Sequence, residues 1–275
     1  LKINMKRHLS LNNKPIGIFD SGLGGLTVLK ALEKELPDES FIYFGDTAHL
    51  PYGTKSIQTI LSYSNQIAEF LLKHDVKLII IACNTASSIA TTSLREKFSI
   101  PIFGVIKPCI KKAISFYRGG KIGIIGTEST ISSNSYVNTF MQLSPKIEII
   151  QRACPLFVPL IEENWINQPT TIEIAEIYLK IFEKKQLDSL ILGCTHYPIM
   201  ESLIQQIIGD SVKLISSGPP IASHINKFLT KNKIKSDNKH TKTESFFVTD
   251  SPEKFTQLGS QFLGRKLTNI SHIKI

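Results

Sequence analysis

Two cysteines stand in matching settings. Residues 78–87 read L-I-I-I-A-C-N-T-A-S and residues 189–198 read S-L-I-L-G-C-T-H-Y-P. Cys83 and Cys194 each follow a short apolar run and one small residue, and each precedes hydroxyl or amide side chains. A free thiol titrates near pH 8.5, close enough to neutrality to give or take a proton with modest tuning. Two thiols in equivalent places suit a reaction in which one group takes a proton from one face of a carbon and the other returns one to the opposite face. Asn84 and Thr85 are donors suited to a carboxylate. A helix starting near Ala86 would add a positive dipole end that attracts an anion and lowers the Cys83 pKa toward neutrality. Thr195 repeats the pattern beside Cys194, and His196 could exchange a proton or stabilise a thiolate there. Plainer readings stay open: a lone cysteine is often a small buried hydrophobe, and a histidine can be structural. Cys109 and Cys154 lack such neighbours and read as structural. The four cysteines form no C-x-x-C pair, so neither a zinc site nor a redox pair is signalled.

Further polar groups fall at other strand ends. Asp20-Ser21-Gly22 closes the first apolar run, and Gly24-Gly25 follows. The G-x-G-G spacing is a poor dinucleotide fingerprint. A carboxylate at Asp20 would repel phosphate and attract an ammonium, which favours an amino acid as ligand; a helix N-cap is the alternative. Gly45-Asp46-Thr47 and Pro51-Tyr52-Gly53 form a constrained loop whose N–H groups could bind an anion, or a plain turn. Thr127 occupies the place of Ser21 in a second copy of the pattern and is a further carboxylate donor.

Apolar runs with abrupt polar ends read as buried parallel strands, and open α/β sheets bind ligands at the carboxyl ends of such strands. Strands are expected at 16–20, 41–45, 78–82, 102–105, 121–126, 147–151, 189–192, 212–215 and 245–249. Helices are expected near 24–36, 56–73, 86–97, 130–142, 157–164, 171–185, 198–208, 220–230 and 251–264. Such alternation predicts parallel sheets with helical crossovers. I-G-I-F-D-S-G at 16–22 matches I-G-I-I-G-T-E at 122–128, an offset of 106, and the cysteine motifs follow at 111. Similar offsets in the same order suggest two related α/β halves facing one cleft.

The 275 residues are 42% hydrophobic and 20% charged, ordinary for a globular chain with a sizeable core. No apolar stretch reaches transmembrane length, and residues 1–14 lack the apolar centre of a signal peptide. That segment is expected to be a disordered leader, with Met5 a candidate start, and the chain is expected to be cytoplasmic. The net charge of +9 resides in residues 1–14 (+4) and 227–242 (+5), leaving the remainder near neutral. Basic residues so placed read as a solvated tail and a surface loop over 231–244, with no nucleic-acid partner expected.

Taken together, I-G-I-F-D-S-G-L-G-G-L, F-G-D-T-A-H-L-P-Y-G, A-C-N-T-A-S, L-G-C-T-H-Y-P and F-F-V-T-D-S-P-E-K-F resemble the glutamate racemases of the cofactor-independent aspartate/glutamate racemase superfamily. The resemblance spans roughly residues 15–265. It implies two pseudo-symmetric α/β domains with mainly parallel sheets and the active site in the cleft between them. These would be 15–107 plus 217–275, and 108–216. It implies glutamate as substrate, no cofactor and no metal, and D-glutamate supplied to peptidoglycan precursors. Cys83 and Cys194 would be the acid/base thiols, assisted by Asp20 on one side and by His196 and Glu162 on the other. Substrate contacts would fall on Asp20, Ser21, Tyr52, Gly53, Asn84, Thr85, Thr195 and His196. An aspartate or hydantoin racemase and a non-catalytic binding protein are the competing readings. The oligomeric state is left open, a homodimer being one arrangement.

Overall fold

The computed structural model describes residues 11–236 and 242–274. Residues 1–10 of the expected leader and 237–241 of the lysine-rich loop lie outside the described residues. The strands are β1 (Ile16–Asp20), β2 (Phe41–Gly45), β3 (Leu78–Ile81), β4 (Ile102–Gly104), β5 (Lys121–Gly126), β6 (Glu148–Ala153), β7 (Leu187–Gly193), β8 (Lys213–Ile215), β9 (Glu244–Val248) and β10 (Ile270–His272). They form a six-stranded sheet, β10-β9-β2-β1-β3-β4, and a four-stranded sheet, β6-β5-β7-β8. All of the pairings are parallel.

Unbroken apolar runs are required because helices cover both faces. In β1, Ile16 and Ile18 pack in one apolar cluster with Leu26, Leu29, Ile221 and Ile225. Phe19 packs in another with Ile60, Ile67, Ala90 and Leu94. Each such side chain fully removed from water contributes roughly 1.5–3 kcal/mol before entropy is counted.

The strand order places the chemistry. From β1 the chain steps to β2 on one side and then to β3 on the other, so a crevice opens between the carboxyl ends of β1 and β3. The second sheet repeats the order, with its crevice between β5 and β7. Asp20 and Ser21 therefore share one strand-end region with Cys83, and Thr127 shares the equivalent one with Cys194.

Several expectations need correcting. The single helix expected over 130–142 is two, Glu128–Ser132 and Ser135–Leu143, divided at Asn134 in the left-handed region (φ 53°), which asparagine tolerates. The helix expected near 86–97 starts at Asn84, which makes Cys83 its N-cap. Residues 11–14 are docked: Leu11 packs on the core, and the carbonyl of Asn12 accepts from Lys77 Nζ at 3.0 Å. Lys231 and Asn232 belong to the helix Gly218–Asn232 and not to the lysine-rich loop. β10 was not expected; its polar, half-exposed sequence carries no apolar run.

Candidate active site

Cys83 lies two residues beyond the end of β3 and caps the helix Asn84–Lys97, its Sγ accepting from Ala86 N–H at 3.5 Å. The same thiol lies 3.6 Å from Ser21 Oγ. It is 6% exposed, and burial, with the nearby Asp20 charge, pushes it up to about 12. The expectation that the helix terminus would bring this thiol toward neutrality is therefore overturned. The Ala86 N–H and Ser21 do favour the thiolate, but desolvation is the larger effect. Cys83 rests as a protonated thiol.

Asp20 is fully buried. Its Oδ2 accepts from Gly22 N–H at 3.0 Å and its Oδ1 from Thr195 Oγ1 at 3.3 Å. Burial raises its carboxyl above the ordinary value, against the His196 charge and the surrounding donors. It does not cap the next helix, Leu26–Glu35, whose N-cap is Gly25, so the N-cap alternative falls.

On the other side, Cys194 Sγ lies 3.8 Å from His196 Nδ1, and His196 Nε2 lies 3.0 Å from Glu162 Oε1. Burial of the ring works against its charge. The hydrogen bonds and charges of Cys194 and Glu162 outweigh it and push His196 up to about 10. Glu162 in turn is held below its ordinary value by His196, despite its own burial. His196 thus favours the imidazolium at neutral pH, with Nδ1 toward the Cys194 sulfur and Nε2 toward Glu162.

The two halves meet through small residues. A methyl group on Gly24 would lie 2.5 Å from Thr195 Oγ1 and 2.6 Å from His196 Cε1, so only glycine admits this approach. The G-x-G-G turn is a packing device here, not a phosphate cradle. Thr27 Oγ1 donates to the Thr195 carbonyl at 2.8 Å. Thr85 Oγ1 lies 2.9 Å from Thr127 Oγ1 and 3.1 Å from Thr130 Oγ1, a hydroxyl cluster spanning the halves. Thr127 also caps the helix Glu128–Ser132. Gly53 presses on Thr127, and its carbonyl accepts from Ser129 Oγ at 2.7 Å. Tyr52 is buried, with its hydroxyl donating to Asp46 Oδ2 at 2.6 Å. Asn84 is held by the protein itself: Oδ1 accepts from Tyr136 at 2.7 Å and Nδ2 donates to Ser217 Oγ at 3.0 Å.

All of the residues singled out from the sequence thus converge on one region. Sequence reasoning missed Thr27, Thr130, Tyr136 and Ser217, which lie in runs with no motif of their own. The doubled glycine was the one visible signal of the Gly24 approach. Cys109 and Cys154 are buried, and their thiols reach backbone carbonyls, of Ser216 at 3.9 Å and of Arg152 at 3.8 Å. A cavity of about 280 Å³ opens beside the cluster, lined by Pro51, Gly53, Thr127, Val158 and Glu162 among others. Larger cavities of about 860 and 680 Å³ are lined by none of the site residues, so chemistry and not size marks the site. Among the described residues no cluster of three or more His, Cys, Asp or Glu side chains could hold a metal, and no helix is long and apolar enough to cross a membrane.

Comparison with known proteins agrees with this geometry. Residues 16–224 match the family described as Asp/Glu/Hydantoin racemase. A glutamate racemase of Geobacter metallireducens is 44% identical over 262 residues, covering 95% of this chain and 97% of that protein. The crystal structure of glutamate racemase isoform RacE1 from Bacillus anthracis superposes with a TM-score of 0.92 at 34% identity, covering 96% of this chain and 98% of that one. The glutamate racemase of Francisella tularensis, solved in complex with D-glutamate, gives 0.89 at 40% identity with the same coverage. Two buried thiols at equivalent strand ends, each with its own polar partners, occur here in a chain that belongs to the Asp/Glu/Hydantoin racemase family and groups with its glutamate racemases.

Proposed function

We propose that this racemase interconverts L- and D-glutamate by a two-thiol mechanism at Cα. The observation that carries the reading is the asymmetric pair of thiol environments: Cys83 with Ser21 and Asp20, Cys194 with His196 and Glu162. Cys194 takes the proton from L-glutamate while His196 neutralises the thiolate. The Cα–H electron pair stays on carbon, and Cys83, protonated at rest, delivers its proton to the opposite face. The reverse reaction exchanges the roles. Asp20 disfavours a thiolate at Cys83. A substrate ammonium paired with Asp20 cancels that charge and lets Cys83 act on D-glutamate.

The carbanion has no pyridoxal sink in this scheme. Stabilisation rests on donors at the α-carboxylate and on exclusion of water. Hydroxyl donors come from Ser21, Thr85, Thr127 and Thr195, the Thr85 and Thr127 hydroxyls lying 2.9 Å apart, while Asn84, Tyr52 and Gly53 line the cleft through the helix start and the loop that carry them. Glutamate over aspartate is supported by full-length similarity to glutamate racemases and by the D-glutamate held by the Francisella enzyme. In this reading the domains are 15–107 with 217–275, and 108–216. The product is D-glutamate for peptidoglycan precursors in a cytoplasm, and the assembly to test by sedimentation is a homodimer.

The test is L-glutamate incubated with the purified protein in deuterated water without pyridoxal phosphate, with chirality and Cα deuterium followed together. D-glutamate that carries deuterium, while the early remaining L-glutamate stays protonated, is the expected result. Inversion that retains the original proton would refute two separate bases. A folded protein that neither inverts nor exchanges glutamate would refute the substrate.

A further inference from the structure

The late motif F-F-V-T-D-S-P-E-K-F carries Thr249 and Asp250, about 200 residues along the chain from the loop that carries Tyr52 and Gly53. The structure joins them. Asp46, directly after β2, is fully buried and accepts three side-chain hydrogen bonds. They come from Tyr52 OH at 2.6 Å, His49 Nδ1 at 2.7 Å and Thr249 Oγ1 at 2.8 Å. Thr249 Oγ1 also accepts from Ala48 N–H at 2.9 Å. Thr47 and Asp250 exchange two further bonds: Oγ1 to the Asp250 carbonyl at 2.5 Å and Asp250 N–H to Oγ1 at 2.7 Å. The Thr249 carbonyl lies 3.1 Å from His272 Nε2, so β10 backs the same point.

The consequence reaches the site. Tyr52 packs in the same apolar cluster as Cys83, and Gly53 presses on Thr127 and accepts from Ser129 of the other half. A loop held this way spans from the end of β2 to the helix Glu128–Ser132. A loop released from Asp46 would let Tyr52 and Gly53 move away from both.

We infer that Asp46 and Thr249 are positioning residues, a pin between the β2 and β9 loops that sets Tyr52 and Gly53 for substrate. The inference rests on the proposed role of Tyr52 and Gly53 in binding glutamate. Neither pin residue touches a reacting atom. Loss of the pin weakens ground-state and transition-state binding together and leaves the proton-transfer step alone, so KM changes and kcat does not.

The experiment compares wild type with Thr249→Val, Thr249→Ser and Asp46→Asn. It measures kcat and KM in both directions, the D-glutamate Kd by calorimetry, and Tm. Valine keeps the shape of threonine but removes the hydroxyl; serine restores it. Thr249→Val is expected to raise KM and Kd about tenfold, the size of one buried hydrogen bond, with kcat within about twofold. Thr249→Ser should return both constants to near wild type. Thr249→Val with unchanged KM and Kd, whatever its Tm, would overturn the inference, as would a kcat loss at constant KM or a failure of serine to rescue. Should Thr249→Val not fold, Asp46→Asn weakens the same hydrogen bonds while leaving Tyr52 and Gly53 unaltered, and is read by the same criteria. A wild-type protein inert toward glutamate refutes the substrate reading instead, so the two failures are distinguishable.

Discussion

Replacing Glu162 by Gln isolates what holds the proton on His196. The imidazole is pushed from 6.5 to about 10, a preference for the charged form on the order of 5 kcal/mol at 1.36 kcal/mol per pKa unit. Glu162 supplies one charge-assisted hydrogen bond of that total. Such a bond is worth roughly 1.5–3 kcal/mol, or about one to two pKa units. In Glu162→Gln the imidazolium should therefore lose its proton one to two units earlier. Cys83 lies higher, at about 12, and does not titrate in that window. The assay is kcat/KM from pH 6 to pH 10 in both directions. Enantiomers in water have an equilibrium constant of one, so kcat/KM must fall equally for L- and D-glutamate, which is an internal control on the data. The substrate ammonium titrates identically with both proteins, so the mutant-to-wild-type ratio cancels it. That ratio should be nearly flat near pH 7 and fall by about 3-fold to 25-fold at pH 9.5, for a shift of one to two units. A ratio constant across the whole range would show that Glu162 does not set the His196 proton, and the charge assignment would fail.

Three further outcomes follow from the same contacts. Gly24→Ala drives a methyl into Thr195 and His196; a displacement of about 1 Å at the reacting groups should cost ~100-fold in kcat/KM, and retention of wild-type turnover would mean that this approach does not set the site. His196 has its pKa raised on folding, so its contribution to stability is complete below about 6.5 and lost as pH rises through about 10. Chemical denaturation should show that alkaline loss, and His196→Gln should flatten it. Lys77 and Glu39 form a buried ion pair at 2.5 Å, with Lys77 also donating to the carbonyls of Asn12 and Ile234. Lys77→Met strands the carboxylate and should cost about 3–5 kcal/mol by urea denaturation, against under 1 kcal/mol if the pair is dispensable.

The central strands were legible because burial on both faces writes an unbroken apolar run into the chain. β1, β2 and β5 begin and end where those runs do. Cys83 and Cys194 could be placed at strand ends for the same reason, and the repeated offset ordered them into two halves. β10 was not legible, because an edge strand with a polar, half-exposed sequence has no such run. The break at Asn134 did leave a trace, the polar run S-S-N-S at 132–135 between Ile131 and Tyr136, which a single helix over 130–142 passes over.

Which side chains could do chemistry, and in what order along the chain, was thus determined by sequence alone. Only the tertiary structure decided how they are charged and what holds them. The Cys83 pKa moves up and not down because desolvation depends on everything packed around the thiol, while the local helix terminus visible in sequence is the smaller effect. His196 meets Glu162 across 34 residues, Asn84 meets Ser217 across 133, and Asp46 meets Thr249 across 203. Periodicity reports the burial of a residue within its own element. Contacts across such separations arise when the parallel crossovers bring strand ends together, and no local pattern encodes them.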